Sequence, residues 1–119
     1  MSYPHGNIFD KILKGEIPAT PLLENDYVFA FKDINPKAPV HILVIPKGRY
    51  TDIHDFGLHA KPEEKAAMFE AVAALADEAG VANKGYRVIA NTKVHGGQEV
   101  PHFHFHILGG TQLGAMIGS

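Results

Sequence analysis

Apolar positions along the chain change period several times, and each change marks an element. Ile8, Phe9, Ile12 and Leu13 recur at helical spacing behind Asn7, a good N-terminal cap, and Gly15 and Pro18 stand where a short helix would stop. Residues 27–31 and 41–45 are rich in aromatic and β-branched side chains and flank a turn segment with Asn35, Pro36, Ala38 and Pro39, which predicts an antiparallel pair of strands. Residues 47–60 show no clean period and read as a loop or an irregular turn of helix.

The clearest helix is predicted over residues 62–79. Pro62 suits its first turn, Glu63 and Glu64 its positive end, and Gly80 its stop, with Met68, Val72, Leu75 and Ala79 as the buried stripe. Residues 86–90 and 100–108 read as a third and a fourth strand, separated by a loop containing Gly96 and Gly97. The predicted fold class is α+β, an antiparallel sheet with one long helix and a short N-terminal helix. The glycine-rich tail, residues 109–119, is left either loose or packed on a partner subunit.

Within the fourth strand, His102, His104 and His106 alternate with Phe103, Phe105 and Ile107. On a strand this places three imidazoles on one face and three apolar groups on the other. Histidine titrates nearest neutrality, so such a row can supply a base, a nucleophile or metal ligands. As a metal site it would draw further ligands from His41, His95 or Glu99. As a nucleophilic site one imidazole would attack phosphorus, a neighbour would fix its tautomer, and N–H groups of the preceding glycine loop would hold phosphate oxygens. The residues alone leave both readings open, beside a plain solvated strand face.

Composition narrows the surroundings. At 119 residues the chain is expected to be one domain, residues 1–119, and 45% hydrophobic content supplies a core. A formal charge of −2 without a Lys/Arg run gives no footprint for a nucleic-acid polymer. Cysteine is absent, which removes disulfides and thiolate chemistry and fits a reducing compartment. Residues 1–10 lack the pattern of a secretory signal, and no apolar run would span a membrane, so a cytoplasmic location is expected.

The run HGGQEVPHFHFHILGG, residues 95–110, resembles the signature of the histidine triad (HIT) superfamily. FDKILKGEIP, FKDINPKAPVHILVIPK and KGYRVIANT are similar to its Hint branch in the bacterial form, so the resemblance covers nearly the whole chain, most weakly between Arg49 and Lys61. A histidine at His106, where another branch has glutamine, points to hydrolase rather than transferase chemistry. The resemblance implies a HIT-like fold and hydrolysis of purine nucleoside phosphoramidates through a nucleotidyl-histidine intermediate, with no cofactor or metal.

It also implies roles by position. His104 matches the nucleophile, His106 a donor to phosphate oxygen, His102 the residue whose carbonyl orients the nucleophile, and His41 a supporting histidine. Asp33 matches the acceptor of the ribose hydroxyls; Ile8, Phe9, Ile12, Phe31 and Ile34 match an apolar slot for a purine. Asn91, Gly97 and Gln98 fall on the phosphate and leaving-group side, followed by Glu99 and Val100. Read without the resemblance, the five apolar residues are ordinary core and Asp33 is a turn residue. Glu99 stands where many eukaryotic relatives have serine, and Pro101 replaces an expected aromatic residue and lacks an amide donor. The expected partners are a purine nucleoside monophosphate or phosphoramidate and a second copy of the chain, a homodimer in which long helices and third strands meet. His5, His54 and His59 match no motif, and His95 is assigned no role. Two rival readings remain: a metal-dependent hydrolase using the same histidines, and a nucleotide- or partner-binding module.

Overall fold

The structure, a computed structural model, describes residues 3–117. Among them five strands form one antiparallel sheet in the order β1-β2-β3-β5-β4, from β1 (Leu23–Glu24), β2 (Val28–Lys32), β3 (Val40–Pro46), β4 (Tyr86–Ile89) and β5 (Phe105–Gly109). The helices are α1 (Ile8–Leu13), α2 (Ile53–His59), α3 (Pro62–Glu78) and α4 (Lys93–Gly96). This is the α+β architecture with one long helix and a short N-terminal helix that the apolar pattern predicts. No helix among the described residues is long and apolar enough to cross a membrane.

Alternation along the strands divides the core in two. Val28, Ala30, Ile42, Val44, Phe103, Phe105 and Ile107 bury one face against Met68, Ala71, Val72 and Leu75 of α3 and Phe56 of α2. The other face carries Phe29, Phe31, Leu43 and Ile45, which pack with Phe9 of α1. Registers fix the assignment: Leu43 pairs with His106 and Ile42 with Ile107, so the even-numbered histidines face the α1 side. Each fully buried large side chain contributes roughly 1.5–3 kcal/mol. The sheet is thus covered by α3 and α2 on one face and by α1 on the other.

Four differences from the sequence reading have physical causes. β1 is a two-residue edge strand, too short to show a period. Residues 47–60 hold a regular helix, α2, whose cap Asp52 accepts from the Asp55 N–H at 2.8 Å; Gly57 and the polar residues hide its period. α4 is a single turn closed by Gly97 at φ 73°, a left-handed conformation that glycine adopts freely. The fourth predicted strand, from residue 100, begins only at Phe105: Pro101 has no N–H for a ladder, and the Phe103 N–H donates to Tyr50 O at 2.7 Å.

Ala79, expected in the buried stripe of α3, is exposed at the helix end, where the buried face is supplied by Ala67, Met68, Ala71, Val72, Leu75 and Ala76. Part of the tail lies against the sheet, since Arg87 Nη2 donates to Gly114 O at 2.9 Å. Gly118 and Ser119 lie outside the described residues.

Candidate active site

Four histidines meet on the α1 face, and hydrogen bonds define the proton on each ring. The Lys37 N–H donates to His41 Nδ1 at 3.0 Å, so the His41 proton resides on Nε2. That Nε2–H faces His106 Nδ1 at 3.0 Å and Asp33 Oδ2 at 3.4 Å. His106 therefore accepts at Nδ1 and keeps its own proton on Nε2. His104 Nδ1 lies 2.7 Å from the carbonyl oxygen of His102, an acceptor only, so His104 carries its proton on Nδ1 and a free lone pair on Nε2. His102 Nε2 donates to Pro46 O at 2.9 Å.

Burial keeps all four rings neutral. It lowers the pKa of His104 against the opposing effects of the His102 carbonyl, Asp33 and Glu99. His102 and His106 are pushed down to about 4, in each case chiefly by burial and further by the neighbouring His104. His41 is also lowered by burial, with Asp33 pulling the other way. The result at neutral pH is one imidazole with an unprotonated ring nitrogen available and one, His106, with a ring N–H to give.

Positions relative to this cluster differ among the remaining candidates. The Phe9 ring meets the His104 ring edge-on, with centroids 4.9 Å apart, and the Phe31 ring at 5.7 Å. Phe9 and Phe31 are core residues, with Ile12 half-buried against them; Ile8 is about half exposed, and Ile34 is 87% exposed on the turn after β2. Asp33 forms the turn that the sequence allows, its Oδ1 accepting from the Asn35 N–H at 2.8 Å, while its Oδ2 faces His41 Nε2 at 3.4 Å. A cavity of about 400 Å³ is bordered by Leu22, Asp33, Val40, His41, Leu75 and Glu78; His104 does not line it. Asn91 is half-buried, two residues past Ile89, the β4 partner of His106.

The glycine loop departs from expectation. The Gly96, Gly97 and Gln98 N–H groups bond to Thr92 O, Val94 O and Lys93 O, closing α4 rather than lying free for phosphate. The Gln98 side-chain amide is likewise engaged, accepting from the Lys93 N–H at 2.9 Å and donating to Thr51 O at 2.6 Å and Val100 O at 2.9 Å. This clamp positions the segment bearing Glu99 and Val100. Glu99 is exposed, and its charge acts on His104. His5, His54, His59 and His95 are all exposed, and His59 pairs locally with Asp55 at 2.7 Å.

Asp33, His41 and His106 bring one carboxylate oxygen and two ring nitrogens within 4.8 Å of one another, a set of donors that suits a divalent transition metal. The sequence reading joins His41 to the histidine row as a metal ligand and leaves out Asp33; the grouping arises because His41 and His106 lie diagonally across the β3–β5 ladder. Tyr3 was missed as well: its hydroxyl bonds to His102 Nδ1 across 99 positions.

A sheet with paired histidines on its central strands and an imidazole, His104, oriented by the carbonyl of His102 is the arrangement to be compared with known proteins. The chain belongs to the histidine triad family, whose HIT domain profile matches residues 14–113. Among its relatives, a 13.2 kDa HIT-like protein of Azospirillum brasilense is 49% identical over 98% of this chain and 95% of its own. The purine nucleoside phosphoramidase of Escherichia coli is 46% identical, with 92% of each chain covered. A HIT family hydrolase from Clostridium thermocellum superposes with a TM-score of 0.87 at 39% identity, covering 96% of this chain and 98% of that one.

Proposed function

We propose that this protein is a hydrolase of purine nucleoside phosphoramidates, cleaving the P–N bond in two displacements at phosphorus. The observation that carries the reading is the bond from His104 Nδ1–H to the His102 carbonyl, which leaves Nε2 as a nucleophile. In the first displacement Nε2 bonds to the α-phosphorus, the P–N bond breaks, and the amine departs after taking up a proton from solvent. In the second, water attacks phosphorus and loses a proton to solvent, the P–Nε2 bond breaks, and the nucleoside monophosphate leaves. His106 Nε2–H donates to a phosphoryl oxygen as charge builds on it, supported from behind by His41.

Asp33 is assigned to the ribose hydroxyls, because the bond from Asn35 leaves its carboxylate further acceptor sites. Ile8 and Ile34 are assigned to the base as exposed apolar surface, while Phe9 and Phe31 pack in the core. Asn91, Glu99 and Val100 are assigned to the phosphate and leaving-group side, with Gly97 and Gln98 acting through the shape of the loop. No cofactor enters the scheme. A homodimer is part of the proposal: Phe69 on α3 is 68% exposed, and Tyr86 and Val88 are exposed on β4, which ends the sheet. The lack of cysteine supports a cytoplasmic location.

Turnover of an adenosine phosphoramidate by the protein and by His104→Ala tests the reading. Loss of roughly 1,000-fold or more in kcat with AMP affinity retained is expected; equal turnover would reduce the protein to a binding module. The Asp33, His41 and His106 set supports a second reading, a metal-dependent hydrolase. Parent activity that vanishes with a chelator and returns with Zn²⁺ would select it.

A further inference from the structure

The side chain of His102 is fully buried, and the chemistry assigned above uses only its carbonyl. Its ring is nevertheless held at both nitrogens. Nε2–H donates to Pro46 O, so Nδ1 is an acceptor, and the group facing it is the hydroxyl of Tyr3 at 2.5 Å. The direction of that bond is determined, because Tyr3 Oη accepts from Asn7 Nδ2 at 2.8 Å and has its own proton free to give. Asn7 is in turn held as the cap of α1, its Oδ1 accepting from the Asp10 N–H at 3.0 Å. The Tyr3 ring also meets the His102 ring edge-on at 5.6 Å.

The segment bearing Tyr3 is anchored independently. Asp10 is 1% exposed and binds Lys14 Nζ at 3.0 Å, Arg49 Nε at 3.1 Å and the Gly6 N–H at 3.4 Å. The N-terminal strap is therefore tied at Gly6 to α1, which Asp10 in turn ties to Arg49 just after β3.

We propose that Tyr3 is a positioning residue of the site: by donating to His102 Nδ1 it holds His102 in one ring orientation, and through the His102 carbonyl it holds the lone pair of His104 in line for attack. Removing the hydroxyl leaves a buried ring nitrogen without a donor, and the His102 ring, then held only through Pro46 O, places its own carbonyl less firmly. A group that acts on orientation alone should alter kcat and leave substrate affinity untouched.

The proposal rests on His104 being the nucleophile, so its test includes a measurement that needs no turnover. Tyr3→Phe keeps the ring contact and deletes the hydroxyl. We expect kcat on an adenosine phosphoramidate to fall roughly tenfold, the scale of one buried hydrogen bond, with KM unchanged. Nitrogen NMR of the histidine rings in the parent should show His102 with its proton on Nε2 and His104 with its proton on Nδ1, and the Tyr3→Phe variant should shift the His102 Nδ1 resonance toward a free acceptor. A parent with the proton on His102 Nδ1, a variant with unchanged kcat, or an effect confined to KM would each overturn the proposal. A parent that turns over no phosphoramidate while showing these resonances would sink the functional reading and leave the placement of Tyr3 standing.

Discussion

The His41 and His106 rings meet Nε2 to Nδ1 at 3.0 Å, joining residues 65 positions apart across the β3–β5 ladder. Because the Lys37 N–H occupies the far nitrogen of His41, the direction of this bond is fixed, and with it the proton that His106 presents outward. The backbone of one turn thus determines the donor at the opposite end of a two-ring chain.

The pH dependence of catalysis follows from burial. His104 is effective while its Nε2 is unprotonated, and burial lowers its pKa below the ordinary value of about 6.5. The acid limb of the kcat profile is therefore expected below that value, with activity kept through mildly acidic pH. A limb at or above the ordinary histidine value would contradict the assignment.

Stability has its own pH signature. His102 and His106 bind protons in the unfolded chain below about 6.5 but resist them in the fold until about 4. Unfolding free energy should accordingly fall as pH drops from about 6.5 to about 4, and their contribution should level off below that. Burial would raise the Asp10 carboxyl, but Lys14, the Gly6 N–H and Arg49 outweigh it and hold the pKa at about 2, so its stabilisation is lost in a second, lower window from about 3.8 to about 2. Urea denaturation across pH 2–8 separates the two windows.

Asp33→Asn preserves the oxygen that forms the turn and removes the carboxylate assigned to ribose. The variant is expected to raise KM for a ribonucleoside substrate about tenfold, the loss of one charge-assisted hydrogen bond. It should also lose discrimination between that substrate and its 2′-deoxy analogue. If discrimination survives, the ribose contact lies elsewhere.

Gln98→Ala separates two possible uses of the amide. The structure has it clamping Thr51, Lys93 and Val100, so the variant should lose about 1–3 kcal/mol of stability and some kcat together. A rise in KM at unchanged melting temperature would instead indicate direct contact with phosphate.

Phe69→Glu places a charge on the exposed face of α3. Sedimentation should find the parent as a dimer and the variant as a monomer. A monomeric parent would remove the second copy from the proposal.

How much of this was legible in the sequence depended on the range of the interactions. α1, β2, β3, α3 and β4 carry local caps and periods, and the sequence places them within a few residues. The histidine row gave away its face by alternation alone, and the family motifs supplied Asp33 and His41. Tyr3 left no such trace, since what makes it notable is a partner at the other end of the chain. Nor could spacing reveal that the Gly96 and Gly97 amides turn inward, because whether a loop N–H is free depends on the turn that closes around it.

The late start of β5 sets a limit on portability. Residues 101–104 run outside the ladder, and so the His102 carbonyl has no strand partner and accepts a side-chain proton instead. Grafting the same five-residue alternation into a fully paired strand of another scaffold would keep the three imidazoles in a row and leave that acceptor engaged with a neighbouring backbone. An engineer copying the motif must therefore copy the break in the sheet as well.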